Sequence, residues 1–341
     1  METVVREWFR FGNNMEGFVV NVVSMDSASM ASNVKGVYSY RFLKFFHQPL
    51  SFGYLKTLWY KRCQYQIYHL HLPNFLAIIC LLFIPRTKTI VLHWHADIVK
   101  ITGKFLFRPL EKWAVKRATK VIYTSNSYYK SSYSHKWSNE KKVILPLLCE
   151  KNTNSFSIEK KYKGKILFVG RFVDYKGFKP LMNTVLKNGW EDKFIFLGGE
   201  SRDFNQEYWK SSIYKDLDVK FNISNKSLAL YFAESKFVIL PSINRAEAFG
   251  IVAIEGLSSG SPLLTSDLMG SGLKEVNREG ICGLKFETGN IESMQEAIKQ
   301  AMKISLFEYE RLSKNAYKIW QEHYDIRKLK NHLTEVYKLK V

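Results

Sequence analysis

One continuous stretch, residues 240–256, restricts the folds open to this chain because it joins three local patterns. It opens at the end of an apolar run, Phe237 to Leu240, which is typical of a buried strand. A proline and a polar loop follow, and from Phe249 onward apolar residues recur at helical spacing. A strand, a polar loop and a helix N-terminus together bind anions, because the first N–H groups of a helix have no partner within it. The stretch therefore predicts an α/β fold with an anion site at this loop.

Two carboxylates flank this predicted site. Glu247 lies in the loop, and Glu255 lies about two turns inside the predicted helix. One ligand that touches both must be extended, with hydroxyl groups at each end and negative charge between them, as in a nucleotide sugar. In the alternative interpretation, Glu247 caps the helix and Glu255 belongs to a solvated face. The pair by itself leaves both interpretations open.

The stretch also resembles the Glu-x7-Glu signature of the retaining glycosyltransferases of family 4, which have the GT-B fold. Further spaced elements agree with that family, namely Gly260-Ser261-Pro262, Gly270-Ser271-Gly272-Leu273-Lys274-Glu275-Val276 and Gly280-Ile281-Cys282-Gly283-Leu284. The resemblance implies that Glu247 contacts the donor sugar and that Glu255 contacts the ribose hydroxyls. It also implies that the donor diphosphate meets the backbone of Phe249, Gly250, Ile251 and Val252.

A second loop carries two cations after an apolar strand. Gly170 and Arg171 follow residues 165–169, and Lys176 precedes the next predicted helix. An Arg and a Lys on one loop can neutralise a diphosphate, although a solvated turn has the same composition. The loop resembles the Gly-Arg-x4-Lys-Gly element of family 4, which implies contacts to the donor phosphates.

Residues 1–150 show alternating strand and helix patterns, which predict a parallel sheet covered on both faces. The predicted strands are residues 18–23, 36–42, 66–72, 89–95, 120–124 and 142–147, and the clearest helices are residues 76–83 and 104–117. Ligands of such sheets bind beyond the carboxyl ends of the strands. Functional side chains are therefore expected in the loops that follow these strands.

His95 ends one of these predicted strands, and with its neighbours it resembles the Trp-His-x-Asp element of family 4. The resemblance implies that His95 faces the donor sugar across the cleft. His69 and His93 lie within strands and are interpreted as structural residues. The residues that the resemblance assigns to the acceptor side are Asp97, Thr124 and Ser125.

The resemblance implies an α/β architecture of two Rossmann-like domains that face each other across a cleft. The predicted divisions are an acceptor-side domain at 1–150, a polar linker at 151–164, a nucleotide-sugar-binding domain at 165–324 and a returning helix at 325–341. Met1-Glu2-Thr3 resembles the position after the family's glycine loop, so the N-terminal domain is expected to lack its usual first strand. Residues 146–150 also depart from the family's Pro-x-Gly-x-Asp pattern.

The charge of the chain suits an acidic partner, although it can also be a compositional habit of the source genome. The net charge is +20, and residues 1–150 hold 21 Lys and Arg against 8 Asp and Glu. Nucleic acid, anionic lipid and phosphorylated substrates all fit such an excess. Aromatic residues do not interleave with the cations on a recognisable recognition element, so no nucleic-acid partner is predicted. Peripheral contact with an anionic membrane is the favoured interpretation.

The remaining composition predicts a cytoplasmic protein. Lipid contact would place it at the inner face of the cytoplasmic membrane. The four cysteines are scattered, without the spacing of a disulfide framework or a zinc site. Charged residues interrupt the start, so no signal peptide is predicted. The longest apolar run, residues 75–84, is far shorter than the roughly 20 residues that a spanning helix needs.

The expected reaction is retaining transfer of a sugar from a nucleoside diphosphate sugar to a glycan or lipid-linked glycan acceptor, as in bacterial surface-polysaccharide assembly. The residues assigned to catalysis are His95, Arg171, Lys176 and Glu247. No Asp-x-Asp element stands in a suitable loop, so neither a metal nor a cofactor is expected. Two alternatives stay open, a nucleotide-sugar epimerase of GT-B fold and an N-terminally shortened, inactive relative.

Overall fold

The computed structural model describes residues 22–25, 37–40, 43–45, 48–97, 104–151, 157–201 and 203–337. The chain divides into two compact units, residues 1–145 with 328–341, and residues 146–327. Each unit contains a parallel sheet with helices between its strands. The expected absence of a first strand concerns residues that lie outside the described ranges.

The elements alternate along most of the chain. The strands are β1 (Val22–Met25), β2 (Val37–Tyr40), β3 (Leu43–Phe45), β4 (Gln48–Leu50), β5 (Ile67–Leu72), β6 (Thr89–Trp94), β7 (Lys120–Tyr123), β8 (Lys142–Ile144), β9 (Ile166–Val169), β10 (Phe194–Gly198), β11 (Val219–Phe221), β12 (Phe237–Leu240), β13 (Leu263–Ser266) and β14 (Gly283–Phe286). The helices are α1 (Phe52–Lys61), α2 (Phe75–Cys80), α3 (Lys104–Arg117), α4 (Asn126–Ser131), α5 (His135–Ser138), α6 (Ile158–Tyr162), α7 (Phe178–Lys187), α8 (Gln206–Ser211), α9 (Asn225–Glu234), α10 (Ile251–Ser258), α11 (Leu273–Val276), α12 (Ile291–Lys303), α13 (Leu306–His323) and α14 (Leu329–Tyr337).

The main sheet of the first unit has four parallel strands in the order β5-β6-β7-β8. β1 pairs with β2 in parallel, and β3 pairs with β4 in antiparallel. The last helix, α14, covers one face of the four-stranded sheet, where Val336 packs with Val91 and Ile122. The Lys120 Nζ also donates to the Glu335 carbonyl oxygen at 2.8 Å. Residues from the end of the chain therefore complete the core of the first unit.

The sheet of the second unit has six parallel strands in the order β11-β10-β9-β12-β13-β14. The chain starts at β9 and adds strands outward on one side, then returns to place β12 on the other side of β9. The strand order therefore reverses between β9 and β12. In open α/β sheets, ligands bind in the crevice at the carboxyl ends of the strands that flank such a reversal.

Aromatic side chains fill the core between this sheet and its helices. Phe168 on β9 and Phe196 on β10 have ring centroids 6.0 Å apart, and Phe172 packs on Phe178 and Phe204. All five rings are almost fully buried. Burial of such rings contributes about 2–3 kcal/mol each, so the loop after β9 starts from a firmly packed base.

The structure differs from the predicted divisions at the domain boundary. The second unit begins at Pro146, and α6 lies inside the segment that the sequence assigns to a linker. Lys161 on α6 is buried, and its Nζ donates to the Phe232 carbonyl oxygen at 2.7 Å and to Ser261 Oγ at 2.6 Å. The polar composition of the segment did not indicate this helix, which Lys161 anchors together with the partly buried Ile158 and Tyr162.

Candidate active site

The loops after β9 and β12 meet at the strand-order reversal of the second unit. The Ile243 N–H donates to the Tyr175 carbonyl oxygen at 2.9 Å. Gly177 has a φ of +67°, and a Cβ placed on it would lie 1.9 Å from the Pro241 carbonyl oxygen. Only glycine permits both the left-handed backbone and this close approach. Gly177 therefore allows the loop that carries Lys176 to lie against the loop that carries Glu247.

Lys176 and Glu247 form an ion pair across these loops. Their side chains retain only 14% and 9% of their exposure, so water screens the pair little. Ser242 Oγ donates to Glu247 Oε2 at 3.2 Å, and Ser271 Oγ donates to the Glu247 carbonyl oxygen at 2.5 Å. The carboxylate is therefore held in place before any ligand binds.

The N-terminus of α10 lies in the same loop region. Gly250 is the N-cap residue, with a φ of +84°, and α10 begins at Ile251 rather than at the predicted Phe249. No side chain caps this end. Since the first N–H groups of a helix have no partner inside it, they can face an anion at the ends of β9 and β12.

Glu255 lies one turn further along α10 and is half-buried. Burial raises the pKa of its carboxyl group to about 7, and the nearby charge of Lys176 acts in the opposite direction. One cation thus lies within electrostatic range of both predicted carboxylates. Glu247 makes no cap hydrogen bond to α10 and Glu255 is half-buried, which contradicts the alternative in which Glu247 caps the helix and Glu255 is solvated.

Arg171 is exposed at the end of β9. Its Cγ lies 3.9 Å from the position that a Cβ on Gly199 would occupy, which places it beside the end of β10. Gly170 lies under Lys176, since a Cβ there would be 3.7 Å from the lysine Cδ. The structure therefore brings Gly170, Lys176, Glu247 and Glu255 together, and it places Arg171 at the same edge of the sheet.

Sequence reasoning missed the two serines that hold Glu247. Ser242 lies two residues after β12, and Ser271 lies between two glycines that precede α11. Both serines are almost fully buried. The sequence feature that could have indicated Ser271 is the Gly270-Ser271-Gly272 cluster, where small residues allow the backbone to approach the Glu247 loop. The Gly272 N–H indeed donates to the Ala248 carbonyl oxygen at 2.8 Å.

In the first unit, His95 follows β6, and its Nε2 lies 2.8 Å from His71 Nδ1 on the neighbouring strand. The ring centroids are 5.1 Å apart and the rings are within 11° of parallel. Because the nitrogen distance is much shorter than the centroid distance, the rings meet edge to edge in good hydrogen-bond geometry. Sequence reasoning did not single out His71, although it also ends a predicted strand.

The residues predicted for the acceptor side take well-defined structural positions. Asp97 Oδ1 accepts from Trp94 Nε1 at 2.9 Å and from Ser132 Oγ at 2.7 Å. Ser125 is the N-cap of α4, and its Oγ accepts from the Tyr128 N–H at 3.0 Å. Thr124 precedes it and is almost fully buried. These contacts stabilise the loops after β6 and β7, and contact of these residues with an acceptor stays a prediction.

A separate depression of about 710 Å³ lies in the second unit. Its lining includes Asn244, Arg245, Asp267 and Lys285, together with Glu287 in the loop that precedes α12. None of the residues predicted to bind the donor is among those that line it. The site at the ends of β9 and β12 is therefore defined by loop geometry and charge rather than by this depression.

The fold and this site define the class of the protein, a glycosyltransferase of the GT-B fold. Residues 150–319 match the family described as glycosyl transferases group 1, and this range includes the loops after β9 and β12. The GT-B fold and the glycosyltransferase activity implied by the sequence are thereby confirmed. The retaining mechanism and the assignment to family 4 stay predictions.

Individual relatives agree with this class. The chain is 23% identical to the O-antigen chain mannosyltransferase C of Escherichia coli over 279 residues, which are 77% of this chain and 73% of the relative. Sucrose-phosphate synthase from Thermosynechococcus elongatus superposes with a TM-score of 0.77 at 16% identity, over 99% of this chain and 92% of the other. Anabaena HepE in complex with UDP and glucose gives 0.70 at 14% identity, over 94% and 100%. These two structures show the fold alone.

A membrane-spanning helix is not found within the residues that the structure describes, since every helix there is too short or too polar.

Proposed function

We propose that this protein transfers a sugar, with retention of anomeric configuration, from a nucleoside diphosphate sugar to a glycan or lipid-linked glycan of a bacterial surface polysaccharide. The observation that supports this most is the Lys176–Glu247 pair beside the N-terminus of α10, at the point where strand order reverses. It combines an anion site with a carboxylate that is fixed in place.

The departing diphosphate is the group that this site stabilises. Lys176, Arg171 and the N–H groups of Gly250, Ile251 and Val252 supply positive charge and donors where negative charge develops. Glu255 accepts hydrogen bonds from the ribose hydroxyls, and Glu247 contacts the transferred sugar. His95 is the residue of the first unit that the family resemblance assigns to that sugar. Since the protein supplies this charge itself, the proposed transfer requires no metal.

The relative from Escherichia coli is a mannosyltransferase, so nucleoside diphosphate mannose is the first donor to test. The purified chain is incubated with radiolabelled donors, with and without an undecaprenyl-linked oligosaccharide acceptor, and the products are separated. We expect acceptor-dependent transfer, with an α-linkage by NMR when the donor sugar is α-linked. Inversion of the linkage would refute the retaining mechanism. Conversion of the donor without an acceptor would indicate an epimerase.

We also propose that the first unit contacts the anionic lipids of the inner face of the cytoplasmic membrane. Phe52 and Trp59 on α1 are 88% and 45% exposed, and Leu82 after α2 is 60% exposed. The Trp59 ring contacts Phe83 with a centroid distance of 4.8 Å, so α1 and the end of α2 share one surface. Arg62 stacks on Trp59 at 4.1 Å, which adds cationic charge to the apolar surface.

Interfacial aromatic rings with adjacent cations suit an anionic lipid surface. Vesicle sedimentation tests this contact with phosphatidylglycerol-rich and pure phosphatidylcholine vesicles. We expect the protein to bind preferentially to the anionic vesicles. The double variant Trp59→Ser with Phe52→Ser is expected to lose this binding. Equal binding to both vesicle types would end the membrane proposal and leave the transferase proposal intact.

A further inference from the structure

Four histidines line one face of two neighbouring strands in the first unit. His69 and His71 alternate along β5, His93 lies near the end of β6, and His95 follows that strand. His71 and His93 are direct partners in the parallel register. Because strand side chains alternate between faces, all four rings project from the face that α14 covers. This grouping results from strand pairing and does not depend on the proposed transfer reaction.

We propose that His69, His71 and His93 bind one Zn²⁺ ion. A ring nitrogen of each residue lies within 4.8 Å of those of the other two. Zinc binds imidazole nitrogen at about 2.0–2.1 Å, so two nitrogens on one tetrahedral ion are about 3.4 Å apart. The nitrogens therefore need to approach by up to about 1.4 Å, and the parallel rings of His69 and His71 need to rotate so that both point at the ion. Three histidines with a fourth, open position form an established kind of zinc coordination.

Hydrogen bonds outside the three rings support this coordination. His69 Nδ1 lies 2.7 Å from the Tyr337 hydroxyl on α14, and His71 Nδ1 lies 2.8 Å from His95 Nε2. If the Nδ1–H of His69 donates to the tyrosine oxygen and that of His71 donates to His95 Nε2, the Nε2 of each ring carries a lone pair. That lone pair can then bind the metal. Metal-binding histidines characteristically donate their other ring N–H to such a partner, which fixes the ring and strengthens the ligand.

The chemistry of the three ligands selects the kind of metal. Imidazole ligands without a carboxylate favour zinc, copper and nickel over magnesium and calcium. All three histidines belong to the first unit.

The test is Zn²⁺ titration of the full chain after treatment with a chelator, with competition by a chromogenic zinc indicator. We expect one ion per chain with micromolar or tighter affinity. His71→Ala and His93→Ala are each expected to weaken binding at least about 100-fold. His323→Ala is the matched control, because His323 is exposed on α13 and lies in the other unit. It is expected to bind zinc like the wild type.

Tyr337→Phe keeps the ring and removes only the hydroxyl beside His69, so it tests the site even if the histidine variants fail to fold. Loss of an outer hydrogen bond of this kind weakens metal binding by about 10–100-fold. Substitution of Co²⁺ then reports the coordination, with an intense visible absorption expected for a tetrahedral site. The proposal is overturned if the wild type shows no saturable binding up to about 100 µM zinc, or if His71→Ala binds zinc with full affinity.

Discussion

At the scale of single residues, Lys176 is the group on which the second-unit site depends. It is paired with Glu247, and its charge also acts on Glu255. One side chain therefore serves two carboxylates that the sequence separates by seven residues. In the proposed reaction the donor diphosphate is a third anionic partner of Lys176, so we expect transfer to be sensitive to substitution of this residue.

We expect Lys176→Ala to lower kcat/KM by about 100-fold or more, the usual loss when one charge-stabilising group is removed. Steady-state transfer kinetics on folded protein measure this change. Lys179→Ala is the matched control, since Lys179 is a more exposed cation on the following helix, 4.0 Å from Asp174. Unchanged turnover in Lys176→Ala, or an equal loss in Lys179→Ala, would argue against the assigned role.

Glu255 links the site to stability. Its folded-state pKa of about 7 lies above the ordinary 4.5, because the buried carboxyl group favours its neutral form. The stabilisation from this proton is therefore complete below pH 4.5 and is lost as the pH rises through 7. Glu255→Gln is neutral at every pH, so we expect it to raise the free energy of unfolding at pH 8 by about 2 kcal/mol.

Urea denaturation at pH 8 and pH 5 measures this difference, which we expect to be small at pH 5. The exposed Glu159→Gln on α6 serves as the control and should change stability little at either pH. The same Glu255→Gln substitution should weaken donor binding, since an amide accepts the hydrogen bonds of the proposed ribose contact less strongly than a carboxylate. An equal effect on stability at both pH values would contradict the assigned burial cost.

At the scale of elements, the close contact of two loops determines where the site residues lie. We expect Gly177→Ala to cost about 2 kcal/mol or more, because it combines a left-handed backbone with a clash against the Pro241 carbonyl oxygen. Separation of the loops should also lower donor affinity. Chemical denaturation and donor titration measure the two effects.

Gly189→Ala is the matched control for this prediction. Gly189 follows α7 with a φ of +64°, but a Cβ there has no atom within 4 Å. Its substitution should therefore lower the free energy of unfolding by about 1 kcal/mol, the cost of a left-handed backbone at alanine, and leave donor affinity unchanged. If the two alanine variants behave alike, the close approach at Pro241 does not matter for the site.

Elements with strong periodic patterns were predictable, and elements with mixed surfaces were not. The helix at 104–117 and the strands at β5 and β6 agree with the sequence patterns to within a residue at each end. α1 was missed because Phe52 and Tyr60 are 88% and 66% exposed, so its apolar residues follow no single buried face. A hydrophobic pattern identifies an element only when burial follows that pattern.

At the scale of the whole molecule, the last helix stabilises a unit whose strands lie near the start of the chain. Val336 on α14 is 2% exposed against the sheet of the first unit. We expect Val336→Asp to destabilise that unit by about 3 kcal/mol or more, because it buries an unpaired charge. Hydrogen exchange should then accelerate in β6 and β7.

Asn331→Asp introduces the same side chain at an exposed position of α14, so it controls for the added charge. Its exchange pattern should match that of the wild type. Amides of β9 to β14 should stay protected in both variants, since they belong to the other unit. Accelerated exchange throughout both units in Val336→Asp would contradict the separate cores described above.

The sequence by itself determined the alternating α/β pattern, the residue types of the donor site and the family resemblance, because all of these are carried by residues close together in the chain. Only the tertiary structure decided which distant groups meet. Lys176 and Glu247 are 71 residues apart and meet because β12 returns to pair with β9. His71 and His95 meet because β5 and β6 pair in one register. Strand order and register depend on the packing of the whole unit, and local sequence patterns do not specify them.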